Sequence, residues 1–540
     1  MKKHLVCTLA ALCLVESAPA QLTSEALWKS YAAAPDTHPN IPNCSYAGYA
    51  RGEKALPEPP VIANVRELGA KGDGTTDDTA AFKSALAKAA GKGAVLVPAG
   101  KYVLSSHLVL PGGTVLRGEG PEKTTLDFAQ PLDRTAGQLL DAKASAWSWS
   151  GGLIWIGPPD TFGPDGKVAR AEPNRVQAWE YWRPGAVLAQ VTGAAKRGDS
   201  TVSVSQAGAL KPGQFVVMTW ENPADASLLK HFAGHPSMEA YNWASATWLV
   251  PPIYPQWQWP VEIKAVAGNT VTLAQPLRAD IRPEWKVALR EAGGFVQQAG
   301  IEKLTLSMRA PREHKHFKGA GWNGIYFNRA YNCWAQDVQI LGSENPVVFS
   351  AAKNCSVLRL KISGEQMNHH SIAMRVNTAD CLVHDFDIAG MWRVKHGINV
   401  EWLTNGCVYS KGRMAKGTFD SHRALSFDIL RTEITLANDC DGPGGAGQAG
   451  PFIGARAAHW NVKVADLGPR TPGDKTALGD FVFMPLTFPN GAFVGIQGAA
   501  RSDTVRDSVP GEKGSVIADE GKVPAITNLY QAQLRLRLGK

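Results

Sequence analysis

Short apolar strands recur at regular intervals through the second half of the chain. Segments such as CSVLRLKI and CLVHDFDI alternate apolar and polar residues, and each begins at a cysteine. Cys333, Cys355, Cys381 and Cys407 are regularly spaced, with a first interval slightly shorter than the two equal intervals that follow. A fixed period of about 20–50 residues predicts a solenoid of stacked coils. The cysteines then form a column of small buried side chains, a reading we favour over disulfide bonds.

Three histidines keep the same interval. His396 lies as far from His370 as His422 lies from His396, and each precedes the first apolar strand residue by two positions. Asn323 and Asn345 take the equivalent place in the neighbouring coils. Since strands of adjacent coils lie about 4.8 Å apart, the spacing predicts a row of imidazoles on one wall. The row is either catalytic or a polar ladder that satisfies backbone groups, as the asparagines indicate.

Residues 65–120 have the pattern expected at the start of such a stack. VRELGA indicates a strand, and KGDGTTDD a turn rich in Gly and Asp. Thr76 or Asp77 is expected to cap the helix that follows, and Asp77 and Asp78 are interpreted as capping rather than catalytic residues. The apolar positions after this turn have helical spacing: Phe82, Ala85, Leu86 and Ala89.

This stretch resembles the start of the pectate-lyase-like superfamily of right-handed parallel β-helices. The matching residues are Gly72-Asp73-Gly74, Thr76-Asp77-Asp78-Thr79 and the segment VLVPAGKYVL. The resemblance implies an all-β fold, a right-handed parallel β-helix with an N-terminal capping helix. Such a helix is physically required, because an open end would expose the hydrophobic core and unpaired strand edges.

An inserted small β-module is predicted in the middle of the chain. From Val191 to Leu277 the pattern changes to alternating segments separated by tight turns, as in antiparallel strands. The loop between its halves is rich in aromatic residues. Aromatic faces stack well on sugar rings, so Trp248, Trp257 and Trp259 are candidates for substrate binding. The alternative is that these side chains only pack an irregular loop against the body.

The pattern divides the chain into six segments. Two lysines, an apolar run and Ala18-Pro19-Ala20 are typical of a secretory signal peptide. We therefore expect a secreted or periplasmic protein with no membrane segment after cleavage. The predicted segments are a signal peptide (1–20), an extended lead-in (21–60), the cap and first coils (61–130), an insertion with the β-module and Trp-rich loop (131–295), the main coils with the cleft (296–500), and a C-terminal loop with a capping strand (501–540).

The charge balance favours an acidic partner. The formal net charge is +8, and the predicted signal peptide contributes only one of these charges. An excess of this size suits a polyanionic glycan, whereas no Lys/Arg run of the nucleic-acid type occurs. There is no CxxC pair or Cys/His metal-ligand spacing, so no metal site is predicted, and calcium dependence and oligomeric state stay open.

The histidine region carries the residues that β-elimination of a uronide requires. A cation must neutralise the carboxylate, a base must remove the adjacent ring proton, and an acid must protonate the departing oxygen. Imidazole titrates near pH 6.5, and stacked imidazoles lower each other's pKa, which keeps at least one basic. The candidate catalytic residues are His370, His396, His422, Arg423, Lys395, Arg393 and Asp420. The further candidates for substrate binding are Arg375, Glu401 and Arg413.

Two other functions stay open at this point. Glycoside hydrolysis needs a pair of carboxyl groups, and the resemblance covers hydrolases, epimerases and tailspikes as well as lyases. No Asp-Asp pattern of the polygalacturonase type and no Asp cluster for calcium is found. A non-catalytic glycan-binding adhesin is the third reading. The candidate carboxyl groups are Glu401, Asp420, Asp439 and Asp441, with Asp385 and Asp387 as weaker choices.

Overall fold

The computed structural model describes residues 22–137, 145–163, 165–168, 185–313, 315, 317–389, 392–437, 444–465 and 482–540. The predicted signal peptide, Asp439 and Asp441 lie outside these ranges. Within them, no helix has the length and apolar character needed to cross a membrane.

The lead-in is partly helical, which corrects the prediction of an extended segment. Helix α1 spans Ser24–Ala33, and the Thr23 hydroxyl accepts the Ala26 N–H at 3.2 Å. Ser24-Glu25-Ala26-Leu27 is a good helix-forming sequence behind this cap. The Pro-rich stretch ALPEPPV, which predicts extended backbone, begins only at residue 55, well after this helix.

The first coils carry the predicted capping helix. Helix α2, Thr79–Ala89, buries one apolar face. The Asp77 carboxylate accepts the Thr79 N–H at 3.0 Å at the start of the helix, and the Asp78 carboxylate accepts the Lys71 N–H. The strands of this part are β1 (Val61–Asn64), β2 (Asp73–Asp77), β3 (Gly93–Val97), β4 (Gly100–Leu104), β5 (Leu108–Val109), β6 (Thr114–Gly118) and β7 (Thr124–Phe128).

The inserted module is a six-stranded antiparallel sheet in the order β10-β13-β12-β11-β14-β9. One strand of this region belongs to the coils instead, since Ile154–Ile156 pairs in parallel with β5. The elements are α3 (Leu132–Thr135), β8 (Ile154–Ile156), β9 (Val187–Gln190), β10 (Thr201–Ser203), β11 (Phe215–Glu221), α4 (Ser227–Ala233), β12 (Gln256–Ala267), β13 (Thr270–Leu273) and β14 (Ala288–Glu291).

The main coils follow the module and extend beyond the predicted limit at residue 500. Their last strand is Val516–Ala518. The strands are β15 (Val296–Gln297), β16 (Gly300–Ser307), β17 (Asn323–Asn328), β18 (Ala330–Tyr331), β19 (Trp334–Leu341), β20 (Asn345–Ser350), β21 (Ser356–Ser363), β22 (Met367–Asn368), β23 (Ile372–Arg375), β24 (Leu382–Ile388), β25 (Arg393–Val394), β26 (Ile398–Val400), β27 (Val408–Met414), β28 (Phe419–Ser421), β29 (Leu430–Leu436), β30 (Ala458–Val464), β31 (Ala492–Gln497) and β32 (Val516–Ala518).

The predicted right-handed parallel β-helix is confirmed. The long sheet runs β1-β3-β6-β16-β19-β21-β24-β27-β29-β30-β31-β32, and β2, β4 and β7 join it beside β16. A second parallel sheet runs β28-β26-β23-β20-β17-β8-β5. The coils between Tyr331 and Phe427 pass from the second sheet through a narrow row of single bridges into the long sheet. The hydrophobic core fills the space that these strands enclose.

The cysteine column is confirmed as packing. Trp334, Ser356, Leu382 and Val408 are in register in the long sheet, so the cysteines before them stack as well. All four are buried free thiols, and Cys44 is a fifth. Burial raises the pKa of the Cys355, Cys381 and Cys407 thiols, which makes them unreactive.

The C-terminal segment is a helix, and the predicted capping strand is wrong. Helix α5 spans Leu529–Leu538, and the Asn528 side chain accepts the Gln531 N–H at 2.9 Å. Leu529, Tyr530, Ala532 and Gln533 are buried, which is helical spacing. The alternation of Leu with Arg beyond them lies at the surface, where Leu536 is exposed. The alternation of apolar and polar residues, which is typical of a strand, therefore led to the wrong element at the C-terminus.

A buried cluster of charges joins the module to the coils. Arg278 of the module and Lys353 of the coils both pair with the Asp380 carboxylate. Gln275 donates to the same carboxylate at 3.0 Å. Burial opposes ionisation of Asp380, but the two cations outweigh it and hold its pKa below the usual value.

One buried histidine outside the clefts makes stability depend on pH. His107 is 5% exposed and stacks on Phe162, and burial lowers its pKa to about 4. Between about pH 4 and 6.5, the ring is therefore neutral in the folded state and protonated in the unfolded state. Its contribution is complete above pH 6.5 and is lost as the pH falls towards 4. We expect a loss of roughly 3 kcal/mol over this range.

Denaturation at several pH values checks this expectation. The urea midpoint of the protein should fall between pH 6.5 and 4.5. In His107→Leu, the slope of the unfolding free energy against pH should be smaller, by an amount that corresponds to the uptake of about one proton on unfolding. Equal slopes in the two proteins would contradict it. His384→Leu removes a histidine of the long sheet whose pKa burial also lowers, so comparing the two variants shows how much of the pH dependence belongs to His107.

Candidate active site and the histidine cluster

Paired strands on both sides of the histidines set their positions. β22 pairs with β25 in register Asn368↔Val394, and β23 pairs with β26 in register Ile372↔Ile398. His370 therefore lies directly over His396. The His396 N–H also donates to the His369 carbonyl at 3.2 Å. The backbone is thus held at either end of each histidine segment.

The asparagines continue the same column as a structural ladder. Asn345 Nδ2 donates to Asn323 Oδ1 at 2.9 Å, and Asn345 Oδ1 accepts the His370 N–H at 3.3 Å. The predicted equivalence of Asn323, Asn345, His370 and His396 is confirmed by this ladder and by the strand register.

His422 is out of this register, which corrects the predicted row. β26 pairs with β28 as Ile398↔Phe419, so His396 is level with Gly417 and His422 with Glu401. Along the chain, the interval between the paired residues Ile398 and Phe419 is shorter than the interval between His396 and His422. The apolar strand therefore ends before His422 instead of starting after it. His422 thus reaches the other histidines from the opposite end of its strand.

The folded chain nevertheless gathers four imidazoles. The ring centroids of His369 and His370 are 4.5 Å apart, and that of His396 is 5.2 and 5.3 Å from theirs. The His422 ring lies 4.8 Å from His396 and 5.3 Å from His370. His369, which the sequence did not single out as a site residue, is an equal member. Its only signal was its position beside His370.

Asp420 connects the cluster. Its Oδ2 lies 2.8 Å from His422 Nδ1 and 3.5 Å from His370 Nε2, and its Oδ1 accepts the Gly444 N–H at 3.2 Å. The side chain is fully buried. Burial raises the pKa of Asp420 to about 7, although His396 and the Gly444 N–H oppose that rise.

The imidazoles influence one another as predicted. Burial is the main cause that lowers the pKa of His370 well below 6.5, and His369, His396 and His422 lower it further. The His370 ring is therefore neutral at physiological pH. A neutral imidazole has one nitrogen that accepts a proton or binds a metal ion.

A narrow cleft opens over this cluster. Its cavity volume is about 40 Å³, which is room for a water molecule or an ion rather than a sugar ring. Arg375 Nε pairs with Glu401 at 2.8 Å, and Arg375 Nη1 donates to the Trp149 carbonyl at 2.7 Å. Trp248 stacks on Trp402 at the rim, with ring planes 8° apart. Arg375, Glu401 and Trp248, three of the predicted substrate-binding residues, therefore line this cleft.

The remaining predicted cations lie around the cleft in different ways. Arg393 belongs to β25, beside the strand that leads to His370, and Lys395 precedes His396; both are half-buried. Arg423 points towards another loop, where Nη1 donates to the Gly450 carbonyl at 3.1 Å. Arg423 thus fastens the loop that contains Gly445 and Ala446, which also line the cleft.

Several predicted site residues lie elsewhere. Trp257 and Trp259 are fully buried in the core of the module, because the alternation of β12 directs both rings inward. Arg413 lies on the outer face of β27 in the long sheet, where it pairs with Asp387 at 3.3 Å. Asp385 and Asp387 belong to this same outer face. None of these five residues lines the cleft over the histidines.

A second layer supports Asp420 from below. Arg431 is fully buried, and its Nη2 donates to the Asp420 carbonyl at 2.9 Å while Nη1 contacts His459 Nε2 at 3.1 Å. Burial lowers the pKa of Arg431 to about 10 and that of His459 well below its usual value. No pattern in the sequence indicated this layer, because His459 comes from a later coil.

The cluster can act in acid–base chemistry or bind a metal ion. The Asp420–His422 pair can move a proton at a defined nitrogen. Two groups of side chains have ligand atoms within 4.8 Å of one another: His369 with His370 and His396, and His370 with Asp420 and His422. The sequence predicted no metal site, because the spacing of these residues along the chain follows no metal-binding motif.

The two stacked parallel sheets define a parallel β-helix protein. Residues 62–158 match the family described as rhamnogalacturonase A/epimerase, pectate lyase-like. The resemblance seen in the sequence is thereby confirmed, and the matched family is one of polysaccharide-active β-helices.

Individual proteins are similar over limited stretches. The mannuronan C5-epimerase AlgE4 of Azotobacter vinelandii is 38% identical over 80 residues, which is 13% of this chain and 14% of the epimerase. The preneck appendage protein of Bacillus phage PZA is 38% identical over 71 residues, 13% of this chain and 8% of that protein. The chain thus spans only a small part of each of these two relatives. The tailspike protein gp49 of Pseudomonas phage LKA1 has a TM-score of 0.43 and 14% identity, over 82% of this chain and 72% of that one.

Proposed function

We propose that the protein is an exported polysaccharide lyase that cleaves an acidic, uronic-acid-containing polysaccharide by β-elimination. The observation that carries the proposal is the Asp420–His422 pair at 2.8 Å. A carboxylate on Nδ1 fixes the ring and leaves Nε2 as the basic nitrogen. His422 also lines the cleft, so this nitrogen has access to a bound substrate.

The elimination assigns each group a role. The C5–H bond of the uronide breaks, and its proton passes to His422. The electron pair forms the C4=C5 double bond, and the C4–O bond breaks. The departing oxygen takes a proton from a second acid, for which a neighbouring imidazole of the cleft is available.

The cations at the cleft supply the remaining requirement. The proton at C5 becomes acidic only when the adjacent carboxylate is neutralised. Arg375 lies on the cleft wall, and Arg393 and Lys395 belong to the segment that leads into His396. The small cavity holds the reacting groups, and a polymer would lie along the rim, where the half-buried Trp248 offers an aromatic face backed by Trp402.

Glycoside hydrolysis is the second candidate. The raised pKa of Asp420 favours it, because a carboxyl group protonated near neutral pH is a suitable general acid. Glu401, the other described carboxylate of the cleft, would then be the base. Its ion pair with Arg375 at 2.8 Å makes it a weaker base, so the lyase reading ranks first.

Incubation with a panel of polyuronates and neutral glycans tests both candidates. Elimination produces an unsaturated uronide with ultraviolet absorbance in step with new reducing ends. Reducing ends without this absorbance would overturn the lyase and support the hydrolase. Binding without any cleavage across the panel would support an adhesin and overturn both enzymatic proposals.

A further inference from the structure

We infer that His369, His370 and His396 form a binding site for one divalent transition-metal ion, such as Zn²⁺. The three rings come from two adjacent coils and meet beneath the cleft. His369 and His370 line the cleft, while His396 lies behind them. The inference stands on geometry and donor chemistry, and it does not depend on the proposed lyase activity.

The distances between the donor atoms fit one ion. One nitrogen of each ring lies within 4.8 Å of the nitrogens of the other two. Nitrogens bound to a tetrahedral zinc ion at about 2.1 Å are separated by about 3.4 Å. Closing this difference of at most about 1.4 Å calls for rotations of the rings about their side-chain bonds.

The backbone holds the rings ready for such an ion. The His369 N–H donates to the Glu344 carbonyl at 2.8 Å, and the His396 N–H donates to the His369 carbonyl at 3.2 Å. Parallel pairing immediately before and after these residues fixes both segments. The three residues are only 2%, 2% and 8% exposed. A site built on paired strands loses little entropy when the ion binds.

His370 points to a ligand within this cluster. Its side chain is 3% exposed, and among the described residues its Nε2 has no hydrogen-bond partner. Asp420 Oδ2 is 3.5 Å away from this nitrogen, too far for a good hydrogen bond. A buried polar nitrogen without a partner costs free energy. A metal ion in the cluster would give the buried Nε2 of His370 a bonding partner.

The donor set selects the class of metal. Three neutral imidazoles suit Zn²⁺, Cu²⁺, Ni²⁺ or Fe²⁺, whereas Ca²⁺ and Mg²⁺ prefer oxygen ligands. Three protein ligands leave a coordination position open, and two of the three histidines line the cleft. His370 also belongs to a second group with Asp420 and His422. The acid–base pair therefore lies beside the proposed ion.

The site also suggests a use, which rests on the proposed function. An ion at the floor of the cleft would face the carboxylate of a bound uronide, and a positive charge there lowers the pKa of the adjacent ring proton. Metal binding itself is tested without substrate, so its failure and the failure of the lyase proposal are distinguishable.

Cobalt titration of the full, untagged protein tests the site. After treatment with a chelator, the protein should bind one Co²⁺ per chain, with the visible absorption of cobalt held by nitrogen ligands, and Zn²⁺ should displace it and raise Tm. His369→Ala and His396→Ala should each weaken binding by about 100-fold. His384→Ala, a histidine outside the cluster, should leave binding unchanged.

Two results would overturn the inference. One is the absence of any saturable Co²⁺ or Zn²⁺ binding by the unaltered protein. The other is binding that the His369→Ala and His396→Ala proteins retain at full strength. Circular dichroism of each variant shows whether the coils are intact. If both alanine variants unfold, His369→Gln and His396→Gln replace them, because the amide retains the volume and much of the polarity of the ring.

Discussion

The substitution His422→Asn is expected to lower kcat/KM on the polyuronate by about 10²- to 10⁴-fold, the range for losing a general base. The asparagine amide can still donate to Asp420 from the position of Nδ1, so the buried carboxylate keeps a partner. Only Nε2, the nitrogen that removes the proton, is lost. Initial rates of ultraviolet absorbance measure the effect, and denaturation midpoints show that the fold is retained.

Two comparisons make this result specific. Lys411→Ala removes a cation from the outer face of the long sheet, where it pairs with Asp385 at 3.3 Å, and should leave the rate unchanged. Asp420→Asn keeps the size of the side chain but removes the charge that orients His422, so it should also lower kcat. Unchanged activity in His422→Asn would refute the base assignment and leave the histidines as structural.

The substitution Asp380→Ala is expected to destabilise the protein by about 3–5 kcal/mol, the usual cost of removing one partner of a buried ion pair. It would leave Lys353 without the carboxylate that it pairs with and Arg278 with Asp428 at 3.6 Å, and both cations are almost inaccessible to solvent. Since Arg278 belongs to the module and Lys353 to the coils, the docking between them should loosen first. Denaturation with urea and limited proteolysis of the module measure the two effects.

An exposed pair provides the matched control. Asp337 pairs with Arg359 at 2.5 Å on the surface, where the side chains are 28% and 49% exposed. Asp337→Ala should cost no more than about 1 kcal/mol, because solvent screens surface pairs. If Asp380→Ala cost no more than Asp337→Ala, the buried cluster would not be what holds the module to the coils.

The regular part of the fold could be predicted from the sequence, because its periodicity has a direct physical cause. Each coil buries one small side chain at the same corner, so Cys333, Cys355, Cys381 and Cys407 mark the long sheet correctly. The capping helix could also be predicted from its apolar spacing. Both patterns depend on local packing, which the residues themselves encode.

The site could be predicted only in part, because its loops differ in length. Equal intervals along the chain placed His422 in line with His396, but the second sheet takes a shorter step at this coil, from Ile398 to Phe419. The sequence does not indicate at which point of a coil the extra loop residues are inserted. Trp257 and Trp259 illustrate another limit. Alternation places both rings on one face of a strand, yet only the fold of the module decides that this face is buried.

The segments at 24–47 and 529–537 lie side by side across the outer face of the long sheet. Gln533 Nε2 donates to the Pro42 carbonyl at 2.8 Å, across 491 positions of sequence, and Leu27, Tyr31 and Tyr530 share a core with Leu382, Val408 and Trp460. Repeat stacks usually gain stability from nearest neighbours alone, and their coils can come apart one after another. Here two distant segments bind several coils to each other. These contacts have a very large sequence separation, which slows folding, and a coil at the edge cannot separate without breaking contacts in the middle of the stack.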